Sequence, residues 1–233
     1  MNKTIGILGG MGPMATCDLM SKIINNTEAS CDQEHLRICV DNNTNIPDRT
    51  AAIVANGKDP RPEMIKSAVR LQMMGADVII VPCNTAHLFL PDIEKCVDVP
   101  ILHMPRETAK KLKAQGIKKA AILATDGTLQ GGLYHRELEK EGITPFEPNT
   151  EEQKMIMSLI YDYVKAGKKY RHPEKIKKME ERFIEQGVEC AILGCTELPI
   201  AFSTIKTSLP TIDPTTVLAQ AAILYTNNKL KKQ

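Results

Sequence analysis

Apolar residues along this chain fall into two alternating patterns. Short continuous runs rich in Ile and Val occupy Thr4 to Leu8, Arg37 to Asp41, Val78 to Val81, Ile101 to His103, Ala120 to Ala124 and Cys190 to Leu193. Runs of this kind, apolar at successive positions and not at every second one, read as strands covered on both faces. Between them the apolar positions take helical spacing, over Pro13 to Thr27, Pro62 to Met74, Pro105 to Gln115, Gly132 to Lys140, Glu151 to Ala166, Pro173 to Gln186 and Pro214 to Asn228. Proline near several of these starts and Gly75, Gly116, Gly142, Gly167 and Gly187 near the ends match the asymmetry of helix termini. Strands alternating with helices predict an α/β fold built on parallel sheets flanked by helices.

Two segments repeat one another in outline. Gly75-Ala76-Asp77-Val78-Ile79-Ile80-Val81-Pro82-Cys83-Asn84-Thr85-Ala86 has the plan of Gly187-Val188-Glu189-Cys190-Ala191-Ile192-Leu193-Gly194-Cys195-Thr196-Glu197-Leu198. In each, a helix stops at Gly, a buried strand follows, and the strand delivers a cysteine beside a threonine or one residue from it. The chain is therefore expected to form two similar α/β lobes, residues 1–99 with 209–233 and residues 100–208, with the helix from Pro214 returning to the first. Ligands of open α/β sheets bind beyond the carboxyl ends of the strands, so the active site is expected in the cleft between the lobes.

Charge narrows the partners. Thirty basic and 28 acidic side chains leave a formal charge of +2, too small to draw the chain to nucleic acid or a membrane surface. A small molecule is the expected ligand. The N-terminus enters a strand without a signal-peptide pattern, and no apolar stretch reaches the roughly 20 residues that span a bilayer. Seven cysteines, an odd number with no CxxC spacing, suggest neither a disulfide framework nor a zinc ribbon. The expected compartment is a reducing cytoplasm.

Five of those cysteines, Cys17, Cys31, Cys39, Cys96 and Cys190, read as small core hydrophobes. Cys83 and Cys195 differ, because each follows Pro or Gly at a strand end and opens a polar stretch, Asn84-Thr85 and Thr196-Glu197. A pair of thiols can invert a carbon centre without a cofactor. A thiolate removes the α-proton from one face while a protonated thiol returns one to the other, and a thiol pKa of about 8.5 keeps both forms within reach. Preorganised donors must then stabilise the carbanion, and water must be kept out. Asn84, Thr85 and Thr196, with backbone N–H groups at helix starts, are the donors expected on an α-carboxylate.

Cys83-Asn84-Thr85-Ala86-His87 and Gly194-Cys195-Thr196-Glu197-Leu198 together resemble the aspartate/glutamate racemase superfamily. The resemblance extends to Gly9-Gly10-Met11-Gly12-Pro13, Ile46-Pro47-Asp48-Arg49-Thr50, Asp59-Pro60-Arg61-Pro62 and Ile212-Asp213-Pro214, and it is to the aspartate racemase branch. Glutamate racemases usually carry a histidine where Glu197 stands. The resemblance implies a cofactor-independent racemase interconverting L- and D-aspartate, with Cys83 and Cys195 as catalysts, and a homodimer. It also implies that the Met11 loop approaches the substrate through backbone groups and that Arg49 and Lys165 hold the side-chain carboxylate, where a bidentate guanidinium is the best match. Glu197 joins the substrate-contacting set. Thr125 and Thr128, flanking Gly127 after a strand, are candidates to add hydroxyls to the cleft.

Other readings compete. Gly10-Met11-Gly12-Pro13-Met14-Ala15 mimics a dinucleotide fingerprint, but the acid ending the next strand, Asp41, lies 31 residues beyond Gly10 and not about 20. His87 could join the two cysteines on a metal, yet no further ligand has matching spacing, so no metal is expected and His87 reads as a capping or supporting residue. Glutamate or a broader set of amino acids is the alternative substrate. A two-lobed amino-acid binding protein is the alternative outside catalysis; it explains Arg49 but not two matched strand-end cysteines.

Overall fold

The computed structural model describes residues 3–203 and 205–232. They divide into two compact units, one running to Glu107 and resuming at Thr215, the other spanning Thr108–Pro214. The sequence reading had placed the limits at 99/100 and 208/209.

The first unit contains β1 (Ile5–Gly9), α1 (Pro13–Asn26), β2 (Ile38–Asn42), α2 (Arg49–Val54), α3 (Arg61–Met73), β3 (Val78–Ile80), a 3-10 turn at Thr85–Leu88, α4 (Leu90–Ile93) and the start of α5 (Met104–Ala114). Its sheet is parallel, in the order β2-β1-β3. Successive side chains of a strand point to opposite faces, and here both faces are covered. Ile5, Ile7, Val78 and Ile80 pack with Leu19 and Ile23 of α1 and with Leu218, Ala219, Ala222 and Ile223 near the C-terminus. Leu8, Ile79 and Val81 pack with Met64, Ala68 and Leu71 of α3 and with Leu90 and Ile93 of α4. This two-sided burial is why the strands carry unbroken apolar runs.

The second unit contains the rest of α5, then β4 (Lys119–Ala124), α6 (Asp126–Gln130), α7 (Leu133–Lys140), β5 (Thr144–Phe146), α8 (Thr150–Ser158), α9 (Pro173–Glu185), β6 (Cys190–Gly194), α10 (Leu198–Phe202) and β7 (Thr211–Ile212). Its parallel sheet has the order β5-β4-β6-β7. Ala121, Leu123, Ala191 and Leu193 bury one face against Ile156, Ile176, Met179, Phe183 and Phe202, with the Phe146 and Phe183 rings edge to face at 5.4 Å. The final helix, α11 (Pro214–Tyr225), then supplies the C-terminal cover of the first unit.

Several expected elements take a different form. The strand expected over Ile101 to His103 is a single bridge, Ile79 to Ile101, after which the chain turns into α5 at Met104. The helix expected over Glu151 to Ala166 starts on a capping box of Asn149 and Glu152, but beyond Ser158 it becomes a π-helical segment, Leu159–Val164. There the Lys165 N–H donates to the Ile160 carbonyl five residues back, at 3.0 Å. Apolar spacing marks which side is buried and does not register one extra residue in a turn. Strands β5 and β7 escaped the pattern because they are two or three residues long, and β5 carries Pro145, which a sheet edge tolerates.

Between β1 and α1 the chain turns at Gly10, which has φ +93°, and the Met11–Gly12 peptide is cis. The Thr16 hydroxyl of α1 accepts from the Gly10 N–H at 2.9 Å and donates to the Gly12 carbonyl at 3.1 Å. A Cβ on Gly10 would also collide with the Asn43 backbone. Left-handed backbone at a non-glycine residue and displacement of that backbone both oppose substitution, so Gly10→Ala is expected to cost roughly 2–4 kcal/mol. Urea unfolding monitored by circular dichroism measures it, and a loss below about 0.5 kcal/mol would contradict the packing described.

Candidate functional site

Parallel register brings chosen residues to one edge of each sheet. In the first unit Ile7 pairs with Ile80 and Gly9 with Asn42. Gly10 and Cys83 therefore each lie three residues past the Ile7–Ile80 pair, and Asn43 directly follows the last paired residue of β2. Asn43 is buried; its side-chain amide donates to the Ser67 hydroxyl at 3.0 Å, and its side-chain carbonyl accepts from the Asn45 N–H at 3.1 Å. Cys83, Asn84, Thr85 and Met11 are all buried.

Cys83 is held by His87, which is 1% exposed. The imidazole Nδ1 lies 2.9 Å from the Cys83 carbonyl oxygen, and Nε2 accepts from the Met104 N–H at 3.1 Å. Those partners require the neutral tautomer with the proton on Nδ1. Burial, with the neighbouring His103 adding to it, lowers the His87 pKa to about 3, so the ring stays neutral at physiological pH. Its task is to fasten the turn carrying the thiol to the start of α5.

Arg49 opens α2, whose N-cap is Asp48, the Asp48 carboxylate accepting from the Ala51 N–H at 2.7 Å. The guanidinium donates through Nη1 to the carbonyls of Pro47 (2.9 Å) and Ile46 (3.4 Å) and through Nη2 to the Met11 carbonyl (3.3 Å). It thereby ties its own loop to the glycine loop.

In the second unit the pair Ala124–Gly194 ends the β4 and β6 ladder, so Thr125 and Cys195 leave the sheet side by side. Gly194 leaves room there, since a Cβ would sit tightly, 3.1 Å from that of Ala124 and 3.3 Å from the Tyr134 ring. Cys195 is buried, and its thiol donates to the Glu197 carboxylate at 3.0 Å, where the Thr196 hydroxyl also donates, again at 3.0 Å. Burial first, then the adjacent Glu197 charge and its side-chain hydrogen bond, hold the Cys195 pKa well above the usual thiol value, with the Glu197 backbone N–H and then Lys165 pulling the other way. The buried Thr125 and Thr128 hydroxyls meet at 3.2 Å at the start of α6. Lys165 is exposed just past the π-helical segment, its ammonium 4.3 Å from the centre of the Tyr161 ring.

The family description "Asp/Glu/Hydantoin racemase" matches residues 8–222. The chain belongs to this family. Among its relatives is a broad-specificity amino-acid racemase of Bacillus subtilis, 28% identical over 94% of this chain and 96% of its own length. Among solved structures, the aspartate racemase of Picrophilus torridus superposes with a TM-score of 0.82 at 32% identity, covering 99% of this chain and 96% of its own. An aspartate racemase homologue from Pyrococcus horikoshii gives 0.80 at 25% identity, over 97% and 100%.

Within this racemase chain, each unit gathers its own share of the expected residues at the carboxyl edge of its sheet. Cys83, Asn84, Thr85 and the Met11 loop share one edge, with Arg49 bonded to that loop; Cys195, Thr196, Glu197 and Thr125 share the other, with Thr128 on Thr125. Glu197, expected to contact substrate, has its carboxylate on the thiol and hydroxyl of its two preceding residues. Sequence reasoning missed the roles of Thr16, Asn43 and Tyr134; none has a motif, and each acts through a contact from a distant segment or an adjoining turn. No group of three or more His, Cys, Asp and Glu side chains among the described residues could hold a metal ion, and no helix among them is long and apolar enough to cross a membrane.

The His87 clamp has a pH signature. Its folded pKa lies below the unfolded value of 6.5, so its contribution is complete above pH 6.5 and is lost as pH falls toward 3. Between pH 6 and 5 the racemase is expected to lose about 1.4 kcal/mol per pH unit through this one group. His87→Gln should flatten that limb by the same amount, as read from urea unfolding at pH 7, 6 and 5. Equal slopes in both proteins would show that His87 does not fold as a neutral ring.

Proposed function

We propose that this racemase interconverts L- and D-aspartate without a cofactor, Cys83 and Cys195 acting as the acid/base pair. What carries the reading is the matched placement of two buried cysteines, each just beyond the carboxyl end of a parallel strand and opening a turn of Asn-Thr or Thr-Glu. A cysteine kept only for packing has no reason to recur just past a strand end, at the head of a polar turn, in both sheets. The similarity to the Picrophilus and Pyrococcus proteins supports aspartate as the substrate.

The chemistry requires one group on each face of the α-carbon. One thiolate removes the α-proton, breaking Cα–H and forming S–H; the other thiol gives its proton to the opposite lobe of the carbanion and is left as thiolate. Reversal of these roles serves the other enantiomer. Asn84, Thr85 and Thr196 are assigned to the α-carboxylate through side-chain and backbone donors, and the Met11 loop, Thr125 and Thr128 to the remaining polar atoms. Arg49 and Lys165 are assigned to the side-chain carboxylate. For Arg49 the anchoring carbonyls of Ile46, Pro47 and Met11 would set the guanidinium before substrate arrives, which lowers the ordering cost of binding. The family resemblance also supports a homodimer and turnover without a cofactor, and the odd cysteine count without CxxC spacing supports a reducing, cytoplasmic location.

A broader substrate range is the second reading, favoured by the Bacillus subtilis relative. Circular dichroism of L-aspartate and, separately, L-glutamate incubated with the protein in reducing buffer without added cofactor distinguishes the two. Decay of the aspartate signal alone is expected; decay of both signals would establish the broader range, and decay with neither would remove the racemase assignment for these substrates. Cys83→Ala and Cys195→Ala should each lower racemisation by at least ~10³-fold, in the range for loss of a general acid or base. Full turnover by either variant would overturn the two-thiol mechanism.

A further inference from the structure

Glu197 carries an interaction that substrate binding does not explain. Its Oε2 accepts from two donors at once, the Cys195 thiol and the Thr196 hydroxyl, both at 3.0 Å. Cys195 is 8% exposed and sits where β6 leaves the sheet. A thiol donating to a carboxylate has its proton fixed on sulfur, because ionising it would set two negative groups in contact at low dielectric. The other titratable groups acting on this sulfur are Lys165, beyond the π-helical segment, and the buried Tyr134 of α7, on which Asp213 acts in turn. Two influences oppose the Glu197 carboxylate: the backbone N–H of Glu197 itself, and Lys165, which is exposed.

We propose that Glu197 is a positioning residue that keeps Cys195 protonated, so that in the resting protein Cys195 is the acid member of the catalytic pair. The inference rests on the two-thiol reading above for its catalytic meaning, but not for the interaction itself. An α-carbanion is far more basic than any thiolate, so its donor needs a proton in place more than it needs a low pKa. Donation breaks S–H and forms Cα–H, leaving a thiolate against the Glu197 carboxylate. Repulsion between the two then favours reprotonation of the sulfur by solvent once product has left, while Cys83, which holds the abstracted proton, returns one to solvent; the pair is thereby reset with no net change in protons. The Thr196 hydroxyl shares the carboxylate and tempers its pull on the thiol.

Alkylation of Cys195 by iodoacetamide across pH 6 to 11, followed on its own peptide by mass spectrometry, reads thiolate directly and needs no turnover. Wild-type protein is expected to alkylate at Cys195 with a midpoint above that of an ordinary thiol. Glu197→Gln, which keeps the shape and removes the charge, should lower the midpoint by a pH unit or more, raising the rate near neutrality about tenfold. Glu197→Asp should stay nearer wild type. An unmoved or raised midpoint in Glu197→Gln with native circular dichroism would overturn the proposal. If Glu197→Gln does not fold, Thr196→Val substitutes for it: with the charge no longer shared, the midpoint should rise, and no movement would overturn the proposal. Failure of aspartate and glutamate turnover would remove the racemase assignment for these substrates while leaving the alkylation profile to judge Glu197 separately.

Discussion

Parallel strand pairing is the constraint on which the rest of this structure depends. A parallel sheet sends all its strands out at one edge, so residues that follow different strands emerge together whatever their separation in sequence. Gly10, Asn43 and Cys83 come from three strands and Thr125 and Cys195 from two, and register alone brings each set to a common edge. Covering both faces of each sheet then demands long crossovers, which the helices supply, and it leaves the strands apolar enough to be recognised. The chemistry-bearing residues lie just beyond, where the ladder ends and polar groups are tolerated.

The two edges stabilise their cysteines by different physics. At Cys83 the protein contacts the backbone: a buried neutral imidazole bonds the carbonyl of the cysteine and the amide of Met104, so both buried groups are satisfied without introducing charge. At Cys195 it contacts the sulfur itself with a carboxylate, which costs more to bury and acts on protonation as well as position. The glycines at the two edges serve neighbours. Gly10 makes room for Asn43, and Gly194 makes room for Ala124 and Tyr134. The repeat seen in the sequence is thus a repeat of strand, turn and thiol, and the surroundings of the thiols are not copies.

Much of this was legible in residues read one at a time. Ile79-Ile80-Val81 and Ala191-Ile192-Leu193 announce covered strands because burial on both faces leaves no place for polar side chains. A Cys after Pro82 or Gly194 stands out because a strand-end cysteine beside polar residues has a poor packing rationale. Less was legible where the signal is short or where two geometries share one pattern. Thr211 and Ile212 are too few to show periodicity, Ile101 to His103 are apolar enough for a strand but make one bridge, and Leu159 to Val164 bury the side an α-helix would bury while closing wider turns.

The sequence by itself determined the fold class, the family and the two cysteines, since each is written in local composition and in motifs of a few residues. Tertiary structure decided what each side chain touches. That Arg49 binds three backbone carbonyls, that His87 is a neutral clamp and that Glu197 sits on the Cys195 thiol follow from distances and burial. A sequence states which groups are present. Burial sets their charge, and the direction of a hydrogen bond depends on backbone geometry that is complete only once the chain has closed around them.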